Sequence, residues 1–269
     1  MNMSSRLHGR VEFLGLWFDD LDQDSVLRAL VPPSRQRPFA YVVTPNVDHV
    51  VGLATTQTDD SVRRAYDQAD LVLCDSRILQ MLAGWSRLRL PLVTGSDLTV
   101  RLLEEANAWG GMRIAVVGGD GALLTQLESL YPEISWHQHI PPMGVRRNAE
   151  ARQAIAGFVE RTSADYILLA IGAPQSELVC AEIAQRGNAR GMALCIGASL
   201  EFVTGAKRRA PAIMQALRLE WLFRLLSEPR RLWRRYLVEG PRIIAIWLRW
   251  RASRPLPRGG SGSSHENPS

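Results

Sequence analysis

The sequence predicts an α/β fold, a Rossmann-like parallel sheet with helices on both faces, followed by a basic amphipathic helical C-terminal appendage. Its second half alternates short apolar runs with stretches of helical periodicity, which is typical of βαβ units in a parallel sheet. Polar or glycine-rich turns follow several of the apolar runs and precede helical stretches. With 269 residues, 46% of them hydrophobic, the chain is long enough for one large domain with a buried core.

Hydrophobic periodicity places the individual elements. Apolar runs predict strands at residues 11–18, 39–43, 71–74, 113–117, 134–139, 166–171 and 192–196. Helical spacing predicts helices at residues 23–30, 47–54, 61–68, 94–109 and 148–161, and others that follow the turns at 75–76, 118–121 and 172–174. At the second of these helices, Thr44 is a candidate cap and Pro45 suits the first helical position.

Basic charge is concentrated near the C-terminal end. The net charge is +5, yet residues 207–258 alone hold 14 Arg or Lys and 3 Glu, so the rest of the chain is acidic. A basic segment on an acidic body favours an anionic partner such as lipid, nucleic acid or phosphate. We therefore divide the chain into a body at 1–204, a basic helical appendage at 205–252 that faces a membrane or acceptor, and a disordered Gly/Ser-rich tail at 253–269.

Cysteine usage and hydropathy indicate the compartment. Cys74, Cys180 and Cys195 match no zinc spacing, and two of them end apolar runs where buried free thiols are common, which favours a reducing cytoplasm. We expect no signal peptide, because the N-terminal region lacks a continuous apolar run. We also expect no spanning helix, because no run reaches the roughly 18 apolar residues that a bilayer requires.

Four predicted strands end in turns that open helices. The turns are Thr44 to Asn46, Asp75 with Ser76, residues 118–121, and residues 172–177. Ligands of parallel α/β sheets bind outside the carboxyl ends of the strands, and helix N-termini attract anions. Residues 118–121 suit a pyrophosphate or a tight turn equally well. They do not form the dinucleotide fingerprint, because Leu124 stands where the third glycine would be.

The polar residues of these turns each allow two interpretations. Asp75 is either the cap of the next helix or a general base that takes a proton from an attacking hydroxyl. Glu177 either complements the helix dipole or reaches a ligand, and Thr44 and Asn46 either cap or bind substrate. The pair Asp20 and Asp22 resembles the metal-binding DxD of sugar transferases, but its position before a helix favours capping.

No metal site is predicted, because His49, His137 and His139 lack ligand spacing with Cys or carboxylates. In the appendage, tryptophans alternate with arginines. Trp221, Trp233, Trp247 and Trp250 suit a core, a membrane interface or, less well, a nucleic-acid surface, since no nucleic-acid-binding module is present.

Seven segments carry a series of motifs: TPNVDHVV (44–51), ADLVLCDS (69–76), PLVTGSDL (91–98), RIAVVGGDGA (113–122), ADYILLAIGAPQSE (164–177), CIGASLEFVTGAKRRAP (195–211) and LEWLFRLLSEPRRLWRRYL (219–237). In these segments, and in their order along residues 11–245, the chain resembles the WecG/TagA/CpsF family of bacterial glycosyltransferases. The chain departs from the family pattern at Ser76, where Gly is frequent, and at Ser176, where Gln is common. These departures affect the expected donor specificity more than the reaction type.

The resemblance implies an inverting, metal-independent glycosyltransferase without a cofactor. It would move a sugar from a UDP-sugar to a polyprenyl-diphosphate-linked saccharide at the inner face of the cell membrane, in cell-surface polysaccharide assembly. The matching positions imply catalytic roles for Asp75, Thr44, Arg224, Arg231 and Arg234. The implied substrate-binding residues are Asn46, Ser96, Asp97, Gly118, Gly119, Gly121, Gly172, Pro174, Gln175, Glu177, Gly197, Arg208 and Arg209.

Two alternatives from other classes stay open at this point. One is a nucleotide-dependent oxidoreductase on the same fold class, which the broken glycine pattern at Leu124 disfavours. The other is a non-enzymatic membrane-surface or nucleic-acid-binding module, which leaves Thr44 and Asp75 without a role. Apolar surface on the body would suit either a homo-oligomer or the docked appendage.

Overall fold

A computed structural model describes residues 9–31, 37–55, 60–206, 214, 220–227, 229–234 and 240–254. Within these residues the strands are β1 (Arg10–Phe13), β2 (Leu16–Asp19), β3 (Ala40–Val43), β4 (Leu71–Val72), β5 (Arg113–Gly118), β6 (Ser135–His139), β7 (Tyr166–Ala170) and β8 (Met192–Cys195). Six of them form a parallel sheet in the order β4-β3-β8-β7-β5-β6. The predicted α/β fold class is therefore confirmed. Residues 255–269 of the predicted tail and the basic turn at 207–211 lie outside the described residues, whereas Arg254, within the predicted tail, pairs with Glu12.

Helices cover both faces of this sheet. The helices within the described residues are α1 (Gln23–Leu30), α2 (Val47–Thr55), α3 (Asp60–Asp67), α4 (Arg77–Trp85), α5 (Gly95–Trp109), α6 (Gly121–Leu130), α7 (Ala149–Thr162), α8 (Gln175–Arg186), α9 (Ser199–Val203), α10 (Glu220–Ser227), α11 (Pro229–Arg234) and α12 (Arg242–Ala252). Alternate residues of a strand serve opposite faces: Val43 belongs to the core cluster that contains residues of α2, α3, α4, α7 and α8, whereas Val42 belongs to the cluster that contains residues of α1, α5 and α6. Burial on both faces explains the continuous apolar strands.

The first predicted strand is wrong as a single element. Residues 11–18 fold as an antiparallel hairpin of β1 and β2, because Leu14 and Gly15 adopt positive φ angles of 55° and 82° and reverse the chain. Glycine reaches this backbone region at low cost. The buried Asp19 ends the hairpin, accepts a hydrogen bond from Arg10 at 3.0 Å, and accepts another from the backbone N–H of Val72 at 2.7 Å. Asp19 thereby joins the hairpin to β4.

The C-terminal helix α12 packs on the body. Ile243 is 3% exposed and belongs to the core between α2, α4 and the hairpin. The indole N–H of Trp247 donates to Oγ of Ser86 at 2.9 Å, and that of Trp250 donates to the Glu12 carboxylate at 3.2 Å. Sequence periodicity did not predict this packing, although the division of the chain at residue 205 stays a prediction. In the described part of the chain, no helix is both long and apolar enough to cross a membrane.

Candidate active site at the carboxyl edge of the sheet

The carboxyl edge of the sheet gathers the four polar turns. The chain leaves β5 toward β6 on one side and leaves β7 toward β8 on the other, so the ends of β5 and β7 form a topological switch point. Crevices at such points bind the ligands of open α/β sheets. The turns after β3 and β4 lie further along the same edge, across the end of β8.

Thr44 is fixed at the end of β3 by its hydroxyl. Its Oγ1 donates to the carbonyl oxygen of Cys195 at 3.2 Å, and the residue is 7% exposed. A Cβ placed on Gly95 would lie 3.1 Å from this hydroxyl, so the first turn of α5 packs directly against Thr44. Thr44 therefore does not cap α2. Asn46 takes that position instead, because its Oδ1 accepts the N–H of Asp48 at 3.0 Å.

Asp75 lies beside this turn, and its backbone connects the two. Its N–H donates to the carbonyl oxygen of Pro45 at 3.1 Å, and the preceding carbonyl, of Cys74, accepts the N–H of Val93 at 2.9 Å. The cap of α4 is Ser76, whose Oγ accepts the N–H of Leu79 at 3.3 Å. The interpretation of Asp75 as the helix cap is therefore wrong, and its half-buried side chain lies at the sheet edge.

The start of α5 supplies the third part of the site. Thr94 caps the helix by accepting the N–H of Asp97 at 3.1 Å, and its own hydroxyl donates to the Asp97 carboxylate at 2.6 Å. Ser96 lies 3.4 Å from the same hydroxyl. Ser96 and Asp97 are thus half-buried residues of the first helical turn, next to Thr44.

The glycine-rich turn after β5 is built from close backbone contacts. Gly118 has a φ of 109°, and a Cβ there would lie 2.9 Å from the carbonyl oxygen of Ala170 on β7. Asp120 caps α6, and Gly121 is its first residue. The side-chain amide of Gln138 donates to the carbonyls of Gly118 and Asp120, both at 2.9 Å. Sequence analysis missed Gln138, because one polar residue on an edge strand gives no signal of its own.

The turn after β7 contains Gly172, with a φ of 79°, and a cis peptide bond between Ala173 and Pro174. Gln175 begins α8, and its side-chain amide donates to the carbonyl of Ile171. Ser176 is 1% exposed and donates to the carbonyl of Gly172 at 2.9 Å. Ser176 therefore stabilises the turn by a buried hydrogen bond, and its small side chain fits this buried position.

Glu177 faces the interior. It is 2% exposed, and its carboxylate accepts a hydrogen bond from the hydroxyl of Tyr66 on α3. Burial raises the pKa of Glu177 to about 7, while hydrogen bonds from its own N–H and from Tyr66 oppose the rise. Burial also raises the pKa of Tyr66 well above its usual value. This burial argues against direct contact between Glu177 and a substrate, because the side chain is directed toward Tyr66 of α3 and away from solvent.

Over residues 11–256, the chain matches the family described as glycosyl transferase WecG/TagA/CpsF family. The chain belongs to this family. A solved structure described as the highly conserved domain of unknown function 1792, with a distinct glycosyltransferase fold, is similar at 11% identity and a TM-score of 0.45. That likeness covers 71% of this chain and 83% of the other, and it is too remote to support a functional inference.

Membership of the WecG/TagA/CpsF family identifies the chain as a glycosyltransferase, so the oxidoreductase and the non-enzymatic module are no longer needed as explanations.

The remaining candidate residues of this glycosyltransferase lie after β8 and in the appendage. Gly197 lies between β8 and α9 with a φ of 53°. Arg208 and Arg209 lie outside the described residues. Arg224 belongs to α10 and Arg231 and Arg234 to α11, but their side chains are outside the described part.

Two further expectations concern metals. Asp22 caps α1 by accepting the N–H of Ser25 at 2.8 Å, so the capping interpretation is confirmed for Asp22, while Asp20 pairs with Arg89 at 3.4 Å. Hydrogen bonds from the hydroxyl of Ser25 and, to a lesser extent, from its backbone N–H lower the pKa of Asp22. Among the residues that the structure describes, no group of three His, Cys, Asp or Glu side chains is placed to hold a metal ion.

Proposed function

We propose that this glycosyltransferase moves a sugar from a UDP-sugar to a polyprenyl-diphosphate-linked saccharide, with inversion at the anomeric carbon and without a metal ion. The reaction would take place at the cytoplasmic face of the membrane, in cell-surface polysaccharide assembly. Family membership supports sugar transfer. The observation that carries the proposal is the position of Asp75, whose backbone is hydrogen bonded to Pro45 at the carboxyl edge of the sheet.

Asp75 is the proposed general base. Its carboxylate takes the proton from an acceptor hydroxyl, and the acceptor oxygen then bonds to the anomeric carbon on the side opposite the nucleotide. The bond between that carbon and the diphosphate oxygen breaks, and UDP leaves with the electron pair. A base must lie within hydrogen-bond reach of the proton that it removes. The Ser76 cap is compatible with this role, because α4 does not depend on the Asp75 side chain for its first hydrogen bond.

The leaving diphosphate gains negative charge, which the enzyme must stabilise. The first turns of α5, α6 and α8 all lie at this edge, and the exposed N–H groups and dipoles of helix N-termini favour anions there. We assign Gly118, Gly119 and Gly121 to the diphosphate, since side chains are absent where the backbone must approach it. Arg224, Arg231 and Arg234 are proposed to complete the charge stabilisation. Preorganised donors of this kind are usually the largest contribution to catalysis.

The C-terminal helix suggests how the enzyme meets a lipid-linked acceptor. Ile244 and Leu248 of α12 are 42% and 55% exposed, and Trp85 beside the helix is 55% exposed. The Arg251 guanidinium lies 5.4 Å from the centre of the Trp247 ring. Exposed apolar and aromatic side chains together with arginines are typical of surfaces that bind the headgroup region of membranes. We propose that this surface rests on the inner leaflet.

Sugar transfer in the presence of EDTA tests the proposal. A panel of UDP-sugars is incubated with a short polyprenyl-diphosphate-linked saccharide, and wild type is compared with Asp75→Asn. We expect transfer from one donor by the wild type, inversion in the product, and loss of turnover but not of UDP binding in the variant. Asp22→Asn is the matched control, because it makes the same substitution at a helix cap on α1.

Each outcome identifies a different failure. Turnover by Asp75→Asn equal to that of the wild type would show that Asp75 is not the general base. Transfer that EDTA abolishes and Mg²⁺ restores would overturn metal independence. A folded wild type that binds neither UDP nor any UDP-sugar would overturn the proposed donor class.

A further inference from the structure

Glu177 is a buried carboxyl group close to the carboxyl edge of the sheet. It lies in the first turn of α8, which begins at Gln175 at the carboxyl edge, and it is 2% exposed. Tyr66 donates one hydrogen bond to the carboxylate. Oε2 of Glu177 has no hydrogen-bond partner among the residues described. A buried carboxylate oxygen without a partner is costly when the group is ionised.

The groups that face Glu177 carry no positive charge in the described part of the chain. They are Tyr66 of α3, Tyr41 of β3 and Cys195 of β8, and the Cys195 thiol lies 3.8 Å from that of Cys180 on α8. His49 of α2 packs against the Tyr66 ring with 6.1 Å between ring centres, and burial lowers its pKa to about 4, so it is neutral near pH 7. Ionised Glu177 thus has hydrogen bonds but no cation to stabilise it.

A short series of contacts connects Glu177 to the site. The Glu177 charge contributes to the raised pKa of the Cys195 thiol, which places the carboxylate near the end of β8. The carbonyl oxygen of Cys195 in turn accepts the Thr44 hydroxyl at 3.2 Å. Glu177 and Thr44 therefore both neighbour Cys195, the first near its thiol and the second at its carbonyl oxygen.

We propose that Glu177 is a positioning residue that takes up a proton from solvent when a nucleotide diphosphate binds at the edge above it. The inference rests on the proposed function. Two negative charges brought to the N-terminal end of α8 repel an ionised carboxylate in the first turn of that helix, and a low-dielectric surrounding screens this repulsion poorly. Protonation removes the repulsion and keeps α8 in place through Tyr66. The raised pKa of Glu177, about 7, supports this, because both protonation states are then populated in the free enzyme near neutral pH.

Calorimetric titration with UDP-glucose and UDP-N-acetylglucosamine tests the inference. Their diphosphates are diesters and do not titrate near neutral pH, so proton uptake reports on the protein. Comparison of buffers with different ionisation enthalpies should give uptake of up to about half a proton per nucleotide at a pH near the Glu177 pKa. The Kd should also increase from about pH 6 to pH 8, by at most about tenfold for each unit by which bound nucleotide raises that pKa.

Three variants make the test specific. In Glu177→Gln, the uptake should disappear and the Kd should become nearly independent of pH. In Tyr66→Phe, the uptake should persist with its midpoint at higher pH. The hydrogen bond from Tyr66 stabilises ionised Glu177, so its loss raises the pKa of Glu177. Glu182→Gln is the matched control on the same helix, since the Glu182 side chain is 42% exposed and pairs with Arg152, and it should behave as wild type.

The outcomes separate this inference from the function on which it rests. Nucleotide binding with the same proton uptake in wild type and Glu177→Gln would overturn the role of Glu177 and leave the donor class intact. An unshifted midpoint in Tyr66→Phe would also overturn it, and this variant decides the matter if Glu177→Gln does not fold. A folded wild type that binds no UDP-sugar would overturn the proposed function itself, and this inference with it.

Discussion

The backbone N–H of Asp75 donates to the carbonyl oxygen of Pro45 at 3.1 Å, and so the turn after β4 is tied to the turn after β3. The hydrogen bond involves only backbone atoms. Substitution of the Asp75 side chain therefore leaves this connection between the two turns intact.

Asp75 and its neighbour Ser76 should respond to substitution in opposite ways. We expect Asp75→Asn to abolish turnover, because an amide cannot take the proton from the acceptor hydroxyl, while the protein still folds. Ser76→Ala removes the α4 cap and should cost about 1 kcal/mol with most of the turnover retained. Urea unfolding and sugar-transfer assays on both variants check this. A large loss of stability in Asp75→Asn would mean that its carboxylate is structural.

Thr44 should contribute to both stability and turnover through its hydroxyl. Thr44→Val keeps the shape of the side chain but leaves the buried carbonyl of Cys195 without its donor, so we expect a loss of about 1 to 3 kcal/mol and reduced turnover. Thr44→Ser keeps the hydroxyl and should stay closer to wild type in both measurements. If the valine variant equals the serine variant, the hydroxyl has neither role.

The glycine-rich turn offers a matched pair of substitutions. Gly118→Ala places a Cβ 2.9 Å from the carbonyl oxygen of Ala170 at a φ of 109°, whereas no atom lies within 4 Å of a Cβ on Gly121. We expect Gly118→Ala to cost about 1 to 3 kcal/mol and to weaken UDP binding, and Gly121→Ala to leave stability unchanged or slightly improved. Unfolding midpoints and UDP titrations are the measurements. Equal stability of the two variants would contradict the close packing of β5 on β7.

Glu177 and His49 should affect the pH dependence of stability in opposite directions. Burial raises the pKa of Glu177 from 4.5 to about 7, so in that range the folded state holds a proton that the unfolded state has released, and stability falls as pH rises. Burial lowers the pKa of His49 from 6.5 to about 4, so there the unfolded state holds the extra proton, and stability rises with pH. The two contributions largely cancel in the wild type.

Glu177→Gln should expose the contribution of His49. Relative to wild type, the variant should gain stability as pH rises from 4.5 to 7, reaching about 3 kcal/mol above that range. Urea unfolding across this pH range checks the slope, with Glu182→Gln as the exposed control. A stability difference that does not change with pH would show that Glu177 ionises normally in the folded protein.

Two adjacent isoleucines test the packing of α12. Ile243 is 3% exposed and Ile244 is 42% exposed. We expect Ile243→Ala to cost about 2 to 5 kcal/mol, because it leaves a cavity in the body, and Ile244→Ala to cost about 1 kcal/mol or less. Thermal and urea unfolding provide the comparison. A small effect for both would mean that α12 does not belong to the cooperative unit.

Local sequence signals predicted the elements and the site edge well. The helix predicted at 23–30 has the observed bounds of α1, and all four polar turns fall at the carboxyl edge. These features depend on periodicity and on residues close in sequence. The hairpin was not predicted, because residues 11–18 are mostly apolar and match the pattern of one strand. The turn within this run depends on one glycine, Gly15.

Features that depend on tertiary contacts were not predictable in this way. Gln175 and Glu177 are both polar residues in the first turn of α8, and the sequence does not distinguish them. Only the packing of α3 shows that Glu177 points inward. Gln138 acts on the glycine-rich turn from a strand 20 residues away from Gly118. The packing of α12 likewise depends on Glu12, which lies 238 residues from Trp250 in the sequence.

Glu12 accepts the Trp250 indole N–H at 3.2 Å and also pairs with the guanidinium of Arg254, so the first strand and the last described helix share one carboxylate. A premature stop codon between residues 205 and 242 would leave that carboxylate without both partners and would uncover Phe13, whose ring packs against Trp250. Such shortened proteins should accumulate poorly in cells, because quality-control proteases remove chains whose folded state has lost several kcal/mol. Late nonsense mutations in this gene should therefore resemble a complete loss of the enzyme.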